Sequence, residues 1–283
     1  RSSMKKSNWF VALTAAMTLS ACGGGGGGGD SGAVGRSAVF LKDAPITTSD
    51  GRPADQVNVE ILKVELERGD TDITVFEATP GSGIFLNVLA LNFPTLLSLA
   101  EVPAGSYDEV EIKINPANAT IHFTDNDSTV PLVASQEGDE QAELEFEFEP
   151  AFVVESSGVS NAVVDFAPVV TLDGTEYILG HDHDNDDTGE VEDVDGEDGP
   201  DHHGAQVEGD FVSLSGDLLT VSVNGTQAQI DISTAITFEV DDVATDKASF
   251  VASLAVGEEI EGEGVFSDGV LVAAKVDNHG VDD

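Results

Sequence analysis

The chain of 283 residues carries 54 Asp and Glu side chains against 11 Lys and Arg, a formal net charge of −43 at pH 7. This charge excludes nucleic acid as a partner, because phosphate backbones are bound by Lys and Arg, and it argues against adsorption to anionic lipid head groups. It favours solubility, cation binding or life in salty water that screens self-repulsion. At about 100–200 residues per domain, the length predicts two domains.

Residues 1–21 have the pattern of a secretory signal peptide, in which a basic start precedes a short apolar run, Trp9–Leu19. The run ends in Leu19-Ser20-Ala21-Cys22, which contains the only cysteine of the chain. This ending resembles a bacterial lipobox. The resemblance implies cleavage before Cys22, lipid on its sulfur and attachment to a membrane through that lipid. The alternative is an ordinary signal peptide with a chance cysteine.

Residues 22–36 are predicted to be a flexible tether, because the uninterrupted glycine run Gly23–Gly29 has no side chains to bury. Such a tether would hold a folded body away from the bilayer. The residue after the cysteine is Gly23, whereas the inner-membrane retention signal of enteric bacteria is Asp. We therefore expect localisation at the outer membrane of a Gram-negative host.

The sequence after the tether predicts an all-β fold, in which a β-sandwich is followed by a small closed β-barrel. Short apolar and alternating segments separated by Gly, Pro and Asp turns predict the sandwich at residues 37–180. Six predicted strands in residues 206–278 favour a closed barrel, which removes exposed edges. Residues 181–205 are dominated by acids and predict a disordered linker. Residues 279–283 form a tail.

Two local patterns are informative within these regions. In Val57–Leu66 the apolar positions change from odd to even at Ile61-Leu62, which indicates either a β-bulge or two short strands that meet there. The segments Leu89–Leu99, which Pro94 interrupts, and Ala248–Leu254 each predict a short helical turn.

The acidic linker contains a candidate Ca²⁺ loop. Alternating oxygen-bearing side chains occupy positions 1, 3, 5, 7, 9 and 12 around a glycine at position 6, a spacing that suits six to eight oxygen ligands. These residues are Asp184, Asp186, Thr188, Glu190, Glu192 and Asp195. The alternative is a solvated charged linker without a specific ion.

Histidines and a run of glutamates offer two further metal hypotheses. His181, His183, His202 and His203 could bind a transition metal together with nearby carboxylates, although a His-Asp tract of weak, nonspecific affinity is the alternative. Strand alternation also places four acids on one face, which is either a cation-binding ridge or the wet face of a half-buried strand. These acids are Glu143, Glu145, Glu147 and Glu149.

Two stretches resemble known families. The residues Phe40-Leu41-Lys42-Asp43-Ala44-Pro45 and Val102-Pro103-Ala104-Gly105-Ser106-Tyr107 resemble uncharacterised bacterial lipoprotein domains that open with Leu-Thr-Asp-Ala-Pro, although Lys42 replaces the usual Thr. The piece Pro103-Ala104-Gly105-Ser106-Tyr107 also resembles transthyretin-like and carboxypeptidase-regulatory-like β-sandwiches. The residues Leu254-Ala255-Val256-Gly257-Glu258 and Gly262-Glu263-Gly264 resemble a second uncharacterised exported β-barrel domain. These resemblances imply a location and a fold type, and no reaction.

The motifs of common enzymes, such as Gly-x-Ser-x-Gly, His-Glu-x-x-His and phosphate-binding glycine loops, are absent from the sequence. The sequence therefore predicts a non-catalytic binding or structural module with no organic cofactor, in which Ca²⁺ stabilises the linker. The alternatives are metal capture or sensing by the His/Asp tract, and a carbohydrate-binding or carbohydrate-active surface protein. The expected partners are the membrane, through the lipid, and a glycan or another envelope protein.

Overall fold

The computed structural model describes residues 33–43, 46–69, 71–91, 93–134, 142–181 and 204–280. Nearly all of the regular structure there is strand, which confirms the predicted all-β class. The elements before the linker are β1 (Val34–Asp43), β2 (Thr47–Thr48), β3 (Ala54–Glu67), β4 (Asp72–Glu77), β5 (Ile84–Asn87), a 3₁₀ turn (Val88–Ala90), β6 (Thr95–Pro103), β7 (Gly105–Ile114), β8 (Thr120–Phe123), β9 (Ser128–Ala134), β10 (Glu143–Val154), β11 (Val159–Phe166), β12 (Pro168–Asp173) and β13 (Glu176–His181).

The elements after the linker are β14 (Ala205–Ser215), β15 (Leu218–Val223), β16 (Thr226–Asp231), β17 (Thr237–Val240), β18 (Val243–Thr245), α1 (Lys247–Ser253), β19 (Glu259–Ser267) and β20 (Val270–Gly280). The described strands form two sheets. One has the order β11-β1-β6-β14-β15-β16-β20-β17-β18, with β19 bonded to β14 and β20. The other has the order β10-β7-β3-β8-β9-β13-β12-β2, with β4 and β5 bonded to β3.

Five strands of the region after the linker pair in a circuit that returns to its start. β14 pairs with β15, β15 with β16, β16 with β20, β20 with β19, and β19 again with β14. The β16–β20 pair is parallel, and the other four are antiparallel. The hairpin of β17 and β18 and the short helix α1 connect β16 to β19.

The local sequence patterns are resolved by these elements. The register of β3 against β7 shifts between Ile61 and Lys63 within one continuous strand, which confirms the bulge and rules out two separate strands. The predicted turn at 248–254 is α1, and its first turn is capped by the Asp246 carboxylate, which accepts from the Ser249 amide at 2.8 Å. In Leu89–Leu99 only Leu89 and Ala90 are helical, and Thr95–Leu99 belong to β6.

The strands β11, β1 and β6 separate two hydrophobic cores. In β1, Val39 and Leu41 belong to the first core, whereas Ala38 and Phe40 belong to the second. The same division occurs in β6, where Leu97 faces the first core and Leu99 the second. A strand covered on both faces carries apolar residues at consecutive positions. This central layer is therefore shared by the regions before and after the linker.

Direct contacts join the two regions across this layer. Gln206 of β14 lies beside Thr95 of β6, and its amide donates to the Pro94 carbonyl at 2.9 Å. The rings of Phe40 and Phe266 meet edge-to-face with centroids 5.1 Å apart. The described residues all belong to one compact unit. The predicted domain boundaries themselves stay predictions.

Glu60 lies at the point where β3 changes partners. β8 and β5 pair with residues up to Ile61, whereas β7 and β4 pair with residues from Ile61 onward. The side chain of Glu60 is fully buried. Its carboxylate accepts hydrogen bonds from two loops: the Gly81 and Gly83 amides after β4, and the Asn115 and Asn118 side chains after β7.

These donors determine the ionisation of Glu60. Burial alone would raise its pKa, but the bonds from Asn115, Asn118, Gly83 and Gly81 outweigh burial and lower the pKa below 4.5. Gly83 is required for this approach, because a Cβ there would lie 2.3 Å from the Ile61 carbonyl oxygen and 2.8 Å from the Glu60 Cγ. The charged carboxylate therefore fastens both loops to β3.

We expect Glu60→Gln to lower the melting temperature by about 5 °C or more at pH 7. One of the two oxygens would be replaced by an amide nitrogen, which donates and cannot accept, so two of the four buried donors would lose their acceptor. The pKa of Glu60 is lower in the folded protein than in the unfolded chain. Its contribution to the free energy of unfolding is therefore fully present above the unfolded-state pKa, and it is lost as the pH falls through the folded-state pKa. Thermal unfolding at pH 7 and pH 3 measures this. Glu176→Gln, an exposed change on β13, is the control, and equal shifts in both variants would contradict the assignment.

We expect Phe40→Ala to reduce the free energy of unfolding by about 3–5 kcal/mol, because it opens a cavity in the core that both regions share. Calorimetry should show one transition that moves as a whole, in the variant as in the parent protein. A variant in which only part of the heat absorption moves would contradict a shared core.

Candidate functional site

Most of the sequence-predicted site residues lie outside the described residues. These are Cys22, all six residues of the candidate Ca²⁺ loop, and His183, His202 and His203. The backbone of His181 ends β13, opposite Pro168 of β12, and its side chain is outside the description. The lipid attachment, the Ca²⁺ loop and the histidine site therefore stay predictions.

The predicted glutamate ridge of β10 is part of a larger surface. Leu144 and Phe146 point into the first core, so the acids between them face the opposite side of the sheet. The neighbouring β7 and β3 also carry acids on that side, in register with those of β10. We call this set the β3–β7–β10 acidic face: Glu65, Glu67, Glu109, Glu111, Glu143, Glu145 and Glu147.

Cross-strand register places like charges directly opposite one another on this face. Glu111 of β7 lies between Glu65 of β3 and Glu145 of β10, and the next row aligns Glu67, Glu109 and Glu147 in the same way. Carboxylate oxygens of Glu65, Glu111 and Glu143 lie within 4.8 Å of one another, as do those of Glu67, Glu109 and Glu111. Like charges in such pairs destabilise a sheet.

Only part of this repulsion is relieved within the protein. Glu65 is 5% exposed, pairs with Lys63 and accepts a hydrogen bond from the Thr74 hydroxyl at 2.6 Å. For Glu109, burial and the neighbouring acids, Glu145 first among them, raise the pKa to about 8. Burial and the neighbours of Glu111, with Glu143 foremost, raise its pKa to about 7. Within this face, ionisation is therefore least favourable at Glu109 and Glu111, the two acids of the central strand β7.

A second row of acids crosses the strands after the linker. Glu208 of β14 pairs with Glu261 of β19, Glu261 pairs with Asp277 of β20, and Asp277 pairs with Glu239 of β17. Lys275 forms ion pairs of 3.2 Å with Glu239 and with Glu263. The positive charge thus lies at one end of the row, beside Glu239.

Asp277 has the least favourable surroundings in this row. It is 1% exposed, and neither of its carboxylate oxygens has a hydrogen-bond partner among the described residues. Carboxylate oxygens of Asp277 and Asp242 and a ring nitrogen of His279 lie within 4.8 Å of one another. Burial raises the pKa of Asp277, His279 opposes that rise, and Glu239 and Asp242 add to it. Sequence reasoning missed this cluster, because its members come together only through strand register.

His122 is held by acids on both sides. Its Nδ1 lies 2.6 Å from an Asp55 oxygen and its Nε2 lies 3.3 Å from an Asp127 oxygen. The bond with Asp55 is the main reason why the pKa of His122 is raised. With both ring nitrogens engaged by carboxylates, this imidazole does not present a free nitrogen that could activate a nucleophile.

A polar cleft lies next to the second row of acids. It has a volume of ≈ 240 Å³ and is lined by Glu208, Gly209, Asp210, Ser222, Asn224, Gly225 and Glu259. This is below the range of about 300–1,000 Å³ that is usual for small-molecule sites, and those sites are mostly apolar. The cleft favours a small hydrophilic ligand or water over an organic cofactor.

Comparison with known proteins identifies one part of the chain. Residues 34–180, just over half of the chain, match the family model described as a domain of unknown function (DUF4382). No curated protein and no solved structure matches significantly. Within the described ranges, every helix is too short or too polar to traverse a bilayer.

The acidic face predicts that stability depends on pH. The folded-state pKa of Glu109, about 8, lies above its ordinary value of 4.5, so the folded protein binds more protons than the unfolded chain between these values. Stability should therefore fall as the pH rises through this window. We expect Glu109→Gln to raise the free energy of unfolding by about 1 kcal/mol at pH 8.5, and the difference from the parent protein to vanish near pH 5.

Urea unfolding at the two pH values measures this difference. Glu155→Gln is the matched control, because Glu155 is exposed and lies in the loop after β10. A pH-independent effect of Glu109→Gln, or an equal effect of Glu155→Gln, would show that charge crowding on β7 is not its cause.

Proposed function

The chain belongs to the DUF4382 family of domains of unknown function, and from that premise we propose that it is a lipid-anchored protein of the bacterial cell envelope. We propose that its folded part acts as a non-catalytic binding or structural module. The expected partners are cations and a cationic or polar envelope component, whereas the net charge of −43 disfavours nucleic acid.

The anchor is proposed from the beginning of the chain. Lys5 and Lys6, the apolar run that follows and the lipobox-like ending at Cys22 support lipid attachment. The glycine run Gly23–Gly29 then supplies a flexible tether. Gly23 in place of a retention Asp supports the outer membrane as the destination.

The observation that carries the module hypothesis is the central layer of β11, β1 and β6, which has a hydrophobic core on each face. Because both cores pack on this one layer, the regions before and after the linker are held in a fixed arrangement. A binding or structural module benefits from such an arrangement, since its surfaces keep their relative positions. We propose that this layer and the sheet containing β3, β7 and β10 form the β-sandwich. We also propose that the circuit of five strands after the linker is the closed β-barrel.

Two groups of acidic residues are the candidate binding surfaces of this folded part. On the β3–β7–β10 acidic face and in the row containing Asp277, carboxylates are opposed across neighbouring strands. Such faces attract cations and cationic segments of other proteins. Ca²⁺ binding by Asp184, Asp186 and the rest of the linker loop, and transition-metal capture by the linker histidines, remain proposals. Glycan binding is supported only by analogy between sandwich folds.

The anchor is tested with the full chain in a Gram-negative host. We expect Cys22→Ser to abolish labelling with radioactive palmitate and to move the protein from the outer-membrane fraction to the soluble fraction, because the chain contains no second cysteine that could carry the lipid. Ser31→Ala, a change in the tether, is the control and should leave both properties intact. If Cys22→Ser stays in the membrane, or the parent protein takes up no label, the proposed anchor is wrong.

A further inference from the structure

We propose that Asp242, Asp277 and His279 form a binding site for a divalent first-row transition-metal ion, for which Zn²⁺ is the probe. The site lies where the β17–β18 turn meets the end of β20. It is separate from the linker histidines and from the lipid anchor, and it does not depend on the function proposed above.

The state of Asp277 is the first argument for an ion. Its side chain is 1% exposed, and in the ionised state both carboxylate oxygens lack a hydrogen-bond donor among the described residues. Among these residues, only a proton shared with the neighbouring Glu239 carboxylate would give Asp277 a hydrogen bond. Its neighbour Val276 belongs to the second core, so Asp277 points to the opposite side of β20, toward the other two members of the cluster. A buried carboxylate without partners is strongly disfavoured, and buried charges are normally paired or bound to a metal.

The strands on either side of Asp277 add further negative charge around it. Asp277 lies between Glu261 on one side and Glu239 on the other. The nearby cation, Lys275, forms its ion pairs with Glu239 and Glu263, and His279 Nε2 lies 3.7 Å from a Glu261 oxygen. No ion pair to Asp277 is present among the described residues. A bound cation would neutralise the charge at this position, which the protein leaves uncompensated.

The chain holds Asp242 in place above Asp277. The β17–β18 turn consists of Asp241 and Asp242, which both adopt left-handed conformations with φ of 51° and 60°. The Asp241 amide donates to the Asn278 carbonyl at 2.9 Å, and the Gly280 amide donates to the Asn278 side chain at 3.1 Å. The first bond fastens the turn to the end of β20, and the second lies within β20 itself.

The distances fit a single ion after a small side-chain adjustment. The three ligand atoms lie within 4.8 Å of one another, whereas two ligands at about 2.1 Å from one ion lie at most about 4.2 Å apart. Asp242 is exposed and His279 is partly exposed, so both side chains have room to move toward the buried Asp277. The ion would enter from the side of Asp242.

The donor set selects the class of ion. Ca²⁺ and Mg²⁺ take oxygen ligands, whereas Zn²⁺ and its first-row neighbours accept imidazole nitrogen together with carboxylate oxygen. Two carboxylates and one histidine leave at least one coordination position for water or a ligand from another molecule. The site therefore favours Zn²⁺ over Ca²⁺.

The test compares melting temperatures of the full chain with and without Zn²⁺. At a concentration of about 100 times the Kd, we expect Zn²⁺ to raise the melting temperature by about 5–10 °C. Asp277→Asn and His279→Gln should each remove this rise. Asp268→Asn, the same kind of change in the exposed β19–β20 turn, is the matched control and should keep it.

The variants also separate this site from the linker. The combined change His183→Ala, His202→Ala and His203→Ala should leave the rise that depends on Asp277 intact. Any rise produced by Ca²⁺ should be the same in His279→Gln as in the parent protein. Without metal, Asp277→Asn should melt at the same or a higher temperature, because it removes a buried charge. If Asp277→Asn fails to fold, Asp242→Asn on the exposed turn provides the same comparison.

Two results would overturn the site. One is a parent protein whose melting temperature does not respond to Zn²⁺, as expected if Asp277 is protonated and shares its proton with a neighbouring acid. The other is a Zn²⁺ response that is equal in the parent, Asp277→Asn and His279→Gln, since the ion would then be bound elsewhere in the chain.

Discussion

The arrangement of strands before the linker depends on one buried carboxylate. β3 runs for 14 residues and pairs with β4, β5, β7 and β8, and Glu60 lies where one pair of partners gives way to the other. Four donors from the two connecting loops converge on Glu60. Because each donor would be costly to bury without an acceptor, the charge of Glu60 determines where both loops cross the sheet.

The position of β3 has consequences for the surface. Once Val64 and Leu66 face the first core, Glu65 and Glu67 must lie on the other side, and the same alternation governs β7 and β10. At the other side of that core, the layer of β11, β1 and β6 is covered on both faces. The acids of β3, β7 and β10 that alternate with these apolar residues therefore lie on the outer face of the sheet, and they become neighbours there because the chain has so few basic residues.

The sequence predicted the features that depend on local pattern. These include the all-β class, the helical turn near Phe250 and the irregularity at Ile61-Leu62, for which the bulge was one of two alternatives. It missed β6, because Leu96, Leu97 and Leu99 are buried against two cores and lack the alternation that marks a half-buried strand. It also treated the acids of β10 as a ridge of one strand. Strand register brings Glu111 between Glu65 and Glu145, and Asp277 beside Glu261. The local pattern of one strand does not specify its register against another strand, so the sequence did not predict these pairs.

The two groups of acids differ in how their charge is balanced. In the β3–β7–β10 acidic face, Lys63 and Thr74 contact Glu65, and water and mobile ions screen the acids that are at least partly exposed, such as Glu67, Glu111 and Glu147. Partial protonation also relieves this face, since the pKa is raised to about 8 for Glu109 and to about 7 for Glu111. Asp277 is 1% exposed and, as a carboxylate, has no hydrogen-bond donor among the described residues, and its cross-strand neighbours Glu261 and Glu239 are acids. Counterions and protonation relieve the first group, whereas at Asp277 we propose that an ion held at one place balances the charge.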